Sequence, residues 1–290
     1  MSYSQAMATL YIVGTPIGNL EDITLRALET LKTVDLILCE DTRVTGKLLN
    51  RHGINTPTLS YHAHSKLSRM NEVTALLKEG KNLALVSDAG TPGISDPGCE
   101  LVKHIREECV EEIACGNIKI ESVPGPSAIT AALSIAGVPC SDFTFLGFLP
   151  HKKGRETLFK KIAESERTVV FYESPHRMMK MLGSLVRHLE FRIASAASVE
   201  LFESEDSSES ERPATNVDFD RAPSLRGARQ TKTFRRGEED AVALKSKNVT
   251  VCRELTKIFE EVISGSAKDV KDYFENNTDK IRGEFVVIVK

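Results

Sequence analysis

The chain has 290 residues, 41% of them hydrophobic and 27% charged, with a formal net charge of −3. This is the balance of a globular protein with room for two modest domains. It argues against a histone-like nucleic-acid binder but leaves room for a local basic patch.

The elements alternate from the start. Residues 10–13 read as a strand that runs into the turn Gly14-Thr15-Pro16-Ile17-Gly18-Asn19. Residues 22–33 carry apolar side chains at helical spacing (Ile23, Ala27, Leu28, Leu31). Residues 34–39 form a buried strand ending in the polar burst Glu40-Asp41-Thr42-Arg43, and 45–52 a short helix closed by Gly53. A strand over 58–61 and a helix over 66–79 follow. Residues 83–87 then lead into the eleven-residue loop Asp88-Ala89-Gly90-Thr91-Pro92-Gly93-Ile94-Ser95-Asp96-Pro97-Gly98. Prolines fix φ and glycines permit positive φ, so this loop is stiff and can press backbone against a ligand. A helix over 98–112, a strand over 118–123, the turn Pro124-Gly125-Pro126-Ser127-Ala128 and an Ala-rich helix to 135 complete the first unit. Strand–helix alternation of this kind predicts a mostly parallel sheet covered by helices. In such a sheet the loops after adjacent strands build one ligand pocket at the carboxyl edge.

Gly137-Val138-Pro139 reads as a hinge, dividing the chain into an N-terminal α/β domain (1–139) and a C-terminal α/β domain (140–290). The second unit reads strand 143–148, helix 153–165, strand 168–172, helix 176–189, strand 249–252, helix 267–275 and strand 283–289, with antiparallel pairing possible near its end. Residues 193–247 show no coherent period. They combine a Ser/Glu run with a basic stretch over 226–236, a composition that buries too little apolar surface to offset ordering entropy. The reading is a disordered insertion: an RNA-binding tail, a passive linker or a gene-model error.

Several chemistries are disfavoured. The sequence has no GxxxxGK[ST], HExxH or GxSxG motif. Its six cysteines include no CxxC pair, so no metal is expected and reduced, buried thiols are. Ser174 and His176 stand too close together to define a hydrolytic triad. No apolar run approaches the roughly 18 residues of a membrane span, and the N-terminal segment lacks the features of a secretory signal. The expectation is a cytoplasmic protein with no membrane partner. The polar ends Phe171-Tyr172-Glu173-Ser174-Pro175-His176-Arg177 and Arg253-Glu254-Leu255-Thr256-Lys257 each close a predicted strand, which is where sites concentrate.

The segments GTPIGNLEDIT, EDTR, SDAGTPGISDPG, VPGPSA, FLGFLP, FYESPHR and RELTKIFEE, in this order, resemble the small-subunit ribosomal RNA methyltransferase I branch of the tetrapyrrole methylase (class III, SAM-dependent) superfamily. The resemblance covers about 8–190 and 248–290. It implies two α/β domains with S-adenosyl-L-methionine in the cleft between them, a homodimer, and 2′-O-methylation of a cytidine in the decoding region of small-subunit (16S) rRNA, free or in the 30S subunit. By motif, it implies cofactor contacts at Ile17, Ala89, Gly90, Thr91, Ile94, Ser127, Ala128, Glu173 and Leu255. From their placement at strand ends, Glu173 or Asp41 is the candidate proton acceptor or orienter, and Arg43, Arg177 and Lys257 are candidates for holding RNA phosphates. The alternatives are a methylase of small tetrapyrroles and a non-catalytic RNA- or ligand-binding member disabled by the insertion.

Overall fold

The computed structural model describes residues 7–62, 67–205 and 247–290. The first sheet is built from β1 (Ala8–Val13), β2 (Leu36–Cys39), β3 (Thr58–Ser60), β4 (Leu83–Leu85) and β5 (Ile118–Val123). Its order is β3-β2-β4-β1-β5 and every pairing is parallel. Alternate strand residues point to opposite faces, and each face has its own helical cover. Ile37, Ala84 and Val123 pack with Ala27 and Leu31 of α1 (Leu25–Thr33) and with Leu48 of α2 (Thr42–Arg51). Leu10, Leu38 and Leu83 pack with Val73 and Leu77 of α3 (Leu67–Lys78) and with Leu101 and Ile105 of α4 (Gly98–Glu108). Thr24 starts α1 by accepting the Ala27 N–H at 3.1 Å. A short α5 (Val110–Ala114) follows α4, so the predicted helix over 98–112 is broken at Cys109.

The second sheet holds β6 (Phe143–Phe148), β7 (Thr168–Glu173), β8 (Asn248–Arg253), β9 (Glu261–Ser266) and β10 (Phe285–Val289), in the order β6-β7-β10-β8-β9. Only β6 and β7 run parallel; the other pairs are antiparallel. One face packs on α7 (Arg155–Glu164), α8 (Pro175–Glu205) and α9 (Ala267–Asn276) through Phe159, Leu182 and Phe274. The other face carries Val170, Cys252, Val286 and Ile288. It is covered by Ile129, Ala132 and Leu133 of α6 (Ala128–Ile135), the helix that follows β5, together with Ile17 and Leu255. The two sheets therefore share an apolar seam.

Two elements differ from the sequence reading. β9 was not predicted; its alternating exposure on an edge strand leaves too few apolar residues to mark it. α8 continues through 193–205, residues read as part of the structureless stretch; 206–246 lie outside the described residues. No helix among the described residues is long and apolar enough to cross a membrane.

Candidate functional site

The parallel pairing of β2, β4, β1 and β5 brings the carboxyl ends of four neighbouring strands to one edge, and the loops that follow are stitched together there. Thr15 and Gly90 exchange backbone hydrogen bonds at 2.9 and 3.1 Å, joining the first loop to the second. The Thr15 hydroxyl also donates to Ser87 O at 3.1 Å. Gly14 N–H donates to Val123 O at 3.0 Å, and the backbones of Gly14 and Gly125 touch so closely that a Cβ on Gly125 would lie 2.6 Å from Gly14 O. The Thr91 hydroxyl donates to Pro126 O at 3.3 Å, joining the second loop to the third. Within the second loop Asp96 Oδ1 accepts the N–H groups of Gly93 and Gly98 at 2.7 and 2.8 Å, and Ser95 is held at φ 67°. A non-glycine residue in the left-handed region stores strain that only over-determined surroundings sustain. Ser127 stands at the N-cap of α6, but its side chain makes no capping hydrogen bond.

Between these loops and the strand ends of the second sheet lies a cavity of about 370 Å³. All nine residues expected to contact a cofactor line it: Ile17, Ala89, Gly90, Thr91, Ile94, Ser127, Ala128, Glu173 and Leu255. Among the described residues its lining carries four carboxylates, from Glu40, Asp96, Glu173 and Glu284, and no lysine, arginine or histidine, although Glu173 is paired from behind with Arg155 and Arg177 and Glu284 with Lys257. Such a wall repels phosphate and suits a ligand carrying positive charge. Backbone amides and carbonyls of the glycine loops supply neutral hydrogen-bonding groups beside apolar surface, the usual make-up of a small-molecule site.

The two candidate catalytic carboxylates both pair with arginines. Glu173 is 1% exposed and fully engaged. Its Oε2 pairs with Arg155 Nη2 at 3.1 Å; its Oε1 pairs with Arg177 Nε at 2.8 Å and accepts the Ser174 N–H at 2.8 Å. Both carboxylate oxygens are therefore taken up by donors from the protein itself. Asp41 caps α2, accepting the Arg43 N–H at 2.8 Å, and pairs with the Arg43 side chain at 2.6 Å. Those hydrogen bonds hold its carboxyl down at about 2. It does not line the cavity.

Glu40, passed over in the sequence as one member of a polar burst, does line it. Burial pushes its carboxyl above the usual range, and the charges of Asp88 and Asp96 add to the effect; a hydrogen bond from the Asp88 backbone opposes it. The signal was out of reach of sequence spacing, because Asp88 and Asp96 come from the next loop of the sheet. Tyr172 and Phe148 also face the cavity, and burial pushes the Tyr172 phenol up to about 12.

The candidate phosphate-holding residues separate. Arg43 is exposed, though paired with Asp41. Arg177 is drawn inside by Glu173. Lys257 pairs with Glu254 at 2.9 Å and with Glu284 at 3.1 Å on the cavity rim. Among the described residues no group of three or more His, Cys, Asp or Glu is placed to hold a metal ion.

Residues 9–204 match the family model for tetrapyrrole (corrin/porphyrin) methylases. The chain is 52% identical over 180 residues to the ribosomal RNA small subunit methyltransferase I of Thermotoga maritima, an alignment covering 62% of this chain and 78% of that one. It is 40% identical over 286 residues to the protein of the same name from a Synechocystis species, covering 98% of this chain and 79% of the relative. Among solved structures, a cobalamin biosynthetic cobalt precorrin-4 methyltransferase shares the fold at 17% identity, with a TM-score of 0.55 over 97% of this chain and 94% of that one. The uroporphyrin-III-C-methyltransferase of Thermus thermophilus does so at 18% identity, with a TM-score of 0.51 over 97% and 93%.

Proposed function

The chain belongs to the tetrapyrrole (corrin/porphyrin) methylase family, and from that premise we propose that it methylates a cytidine ribose 2′-hydroxyl in the decoding region of small-subunit (16S) rRNA, using S-adenosyl-L-methionine. The relatives named ribosomal RNA small subunit methyltransferase I, at 35–52% identity, support the RNA substrate. The observation that carries the choice of donor is the cavity wall, where the carboxylates of Glu40, Asp96 and Glu284 outnumber the one cation at the rim, Lys257. It accepts a sulfonium and an α-ammonium group and disfavours a phosphate-bearing nucleotide. In this reading the chain works as two α/β units, 1–139 and 140–290, and as a cytoplasmic homodimer.

Ile17, Ala89, Gly90, Thr91, Ile94, Ser127, Ala128 and Leu255 would hold the donor, through backbone groups and apolar contact. The donor supplies an electrophilic methyl group when bound. Positioning then provides much of the acceleration, because a bimolecular step becomes effectively unimolecular. The Glu40 carboxylate takes the proton of the attacking hydroxyl. A base needs a pKa brought up toward the working pH, and the burial of Glu40 works in that direction. Glu173 acts at a distance from the proton, fixing Arg155 and Arg177. Arg43 remains the exposed candidate for a phosphate.

The test uses the purified full chain, methyl-labelled S-adenosyl-L-methionine, and 30S subunits lacking the modification. Label in the 16S rRNA is the expected result. Label in uroporphyrinogen and none in RNA would move the reading to the tetrapyrrole branch. RNA binding without turnover would make the chain a non-catalytic member.

A further inference from the structure

We propose that the loop joining β6 to α7 is the RNA clamp of this site: Phe148 stacks on the base of the nucleotide being modified, and Lys152 and Lys153 hold the phosphates beside it. The inference rests on the small-subunit RNA reading above and names the protein surface that recognises it.

The geometry begins at the end of β6, an edge strand. Its pairing with β7 slips between Phe145 and Phe148, where Gly147 sits at φ 63°. A bulge of this kind re-aims the next side chain, and here that side chain is Phe148, which lines the cavity yet is 56% exposed. A large aromatic ring left half in water at a cavity mouth offers a face to a flat partner. Tyr172 backs it, with ring centroids 5.3 Å apart, and Phe145 backs Tyr172 at 5.0 Å.

Beyond Phe148 the loop is anchored from below. Arg177 Nη1 donates to Leu149 O at 2.8 Å and Arg155 Nη1 donates to Pro150 O at 3.0 Å. These are the two guanidinium groups bound to buried Glu173. One carboxylate thus fixes both arginines, and they fix the two carbonyls that follow Phe148. The buried Leu149 side chain adds an apolar anchor.

The next three residues, His151, Lys152 and Lys153, are all exposed. Neither lysine has an ion-pair partner among the described residues, a state they share with Lys32, Lys47, Lys161, Lys180 and Lys268; what sets them apart is their place just beyond Phe148. An anchored loop therefore presents an aromatic face at the cavity, followed four and five residues later by exposed cations without ion-pair partners. With the donor inside the cavity, the target nucleotide is presented at its edge, where its phosphates are repelled by the carboxylates of the wall and need cations outside it. Stacking of an unpaired base on an aromatic ring, with lysines along the backbone, is how proteins hold single-stranded nucleic acid. Because the target hydroxyl must reach the cavity, the nucleotide is presented unpaired.

The test measures the affinity of the full chain for unmodified 30S subunits across a salt series. Each phosphate contact to single-stranded RNA contributes about 0.7 to the slope of log affinity against log salt. The Lys152→Ala/Lys153→Ala protein is expected to bind with a slope about 1.4 shallower, and with unchanged affinity for S-adenosyl-L-methionine. Phe148→Ala is expected to lose about 5- to 150-fold in RNA affinity, and Phe148→Tyr to retain most of it. An unchanged salt slope in the double variant, or a Phe148→Tyr protein as weak as Phe148→Ala, overturns the proposal while leaving rRNA methylation standing. If the parent chain neither binds nor methylates the small subunit, the functional reading and the clamp fall together.

Discussion

Replacing Gly18 with Ala tests how the second unit closes the cavity. Gly18 follows Ile17 in the first loop and lies against the 254–257 turn between β8 and β9. Asn19 N–H donates to Thr256 Oγ1 at 3.1 Å, a bond between residues 237 positions apart. Glu254 and Thr256 both sit at positive φ, 49° and 65°, so the turn is already strained. A Cβ at Gly18 would lie 2.5 Å from Lys257 Cγ and 2.8 Å from both Leu255 O and Thr256 Oγ1, where ordinary contact begins at 3.4 Å. The lysine stem can swing aside, but the Leu255 carbonyl is backbone and must retreat by about 0.6 Å. Overpacking of this size costs about 1–3 kcal/mol. Leu255 lines the cavity, so that cost is expected to appear as an affinity for S-adenosyl-L-methionine lowered about 5- to 150-fold, read by titration calorimetry. Gly46→Ala is the control. Gly46 lies inside α2 with nothing within 4 Å of its would-be Cβ. There the alanine is expected to stabilise the fold by about 0.5–1 kcal/mol and leave donor affinity alone. A Gly18→Ala protein that binds the donor like its parent would refute the idea that the 254–257 turn seals the cavity against the first loop.

Glu40→Gln is expected to slow methyl transfer, remove the acid limb of its pH profile and raise the thermal midpoint at neutral pH. The last effect follows from the direction of the shift: a carboxyl raised in the folded state stabilises the fold while protonated, and that contribution is lost as pH rises through its folded pKa. An unchanged pH–rate profile would remove Glu40 from the chemistry. Asp41→Asn is expected to keep methyl transfer near the parent level, since Asn caps helices about as well as Asp. The depressed Asp41 carboxyl contributes stability above the ordinary carboxylate range that is lost as pH falls through about 2; loss of activity near neutral pH in a folded Asp41→Asn protein would return the base to Asp41. Glu173→Gln leaves buried Arg155 and half-buried Arg177 without their counter-charge, and a loss of about 3–5 kcal/mol in denaturant unfolding is expected. A change within about 1 kcal/mol would mean that the carboxylate does not hold the two arginines together.

The first half of the site was legible because its signals are local. Glycine and proline after an apolar run mark a turn, and strand–helix alternation puts such turns on one edge; β4, β1 and β5 are indeed neighbours. The second half depends on contacts that spacing does not encode. Arg155 and Glu173 are 18 residues apart in different elements, and their pairing ties the Glu173 carboxylate to the start of α7. Glu40 and Asp41 are adjacent in sequence, yet one enters the cavity and the other caps a helix. Phe148 read as one more strand residue until the slip at Gly147 turned it toward the cavity. β9 escaped because an edge strand with one exposed face needs few apolar residues.

The most direct test of rRNA methylation at this cavity is to identify the modified nucleoside. Unmodified 30S subunits treated with the purified chain and S-adenosyl-L-methionine are digested to nucleosides and analysed by mass spectrometry. Appearance of 2′-O-methylcytidine, in a linkage that resists alkaline cleavage because its hydroxyl is blocked, is the expected result. A methyl group on a base, or RNA left unmethylated by a chain that binds the donor, would contradict it.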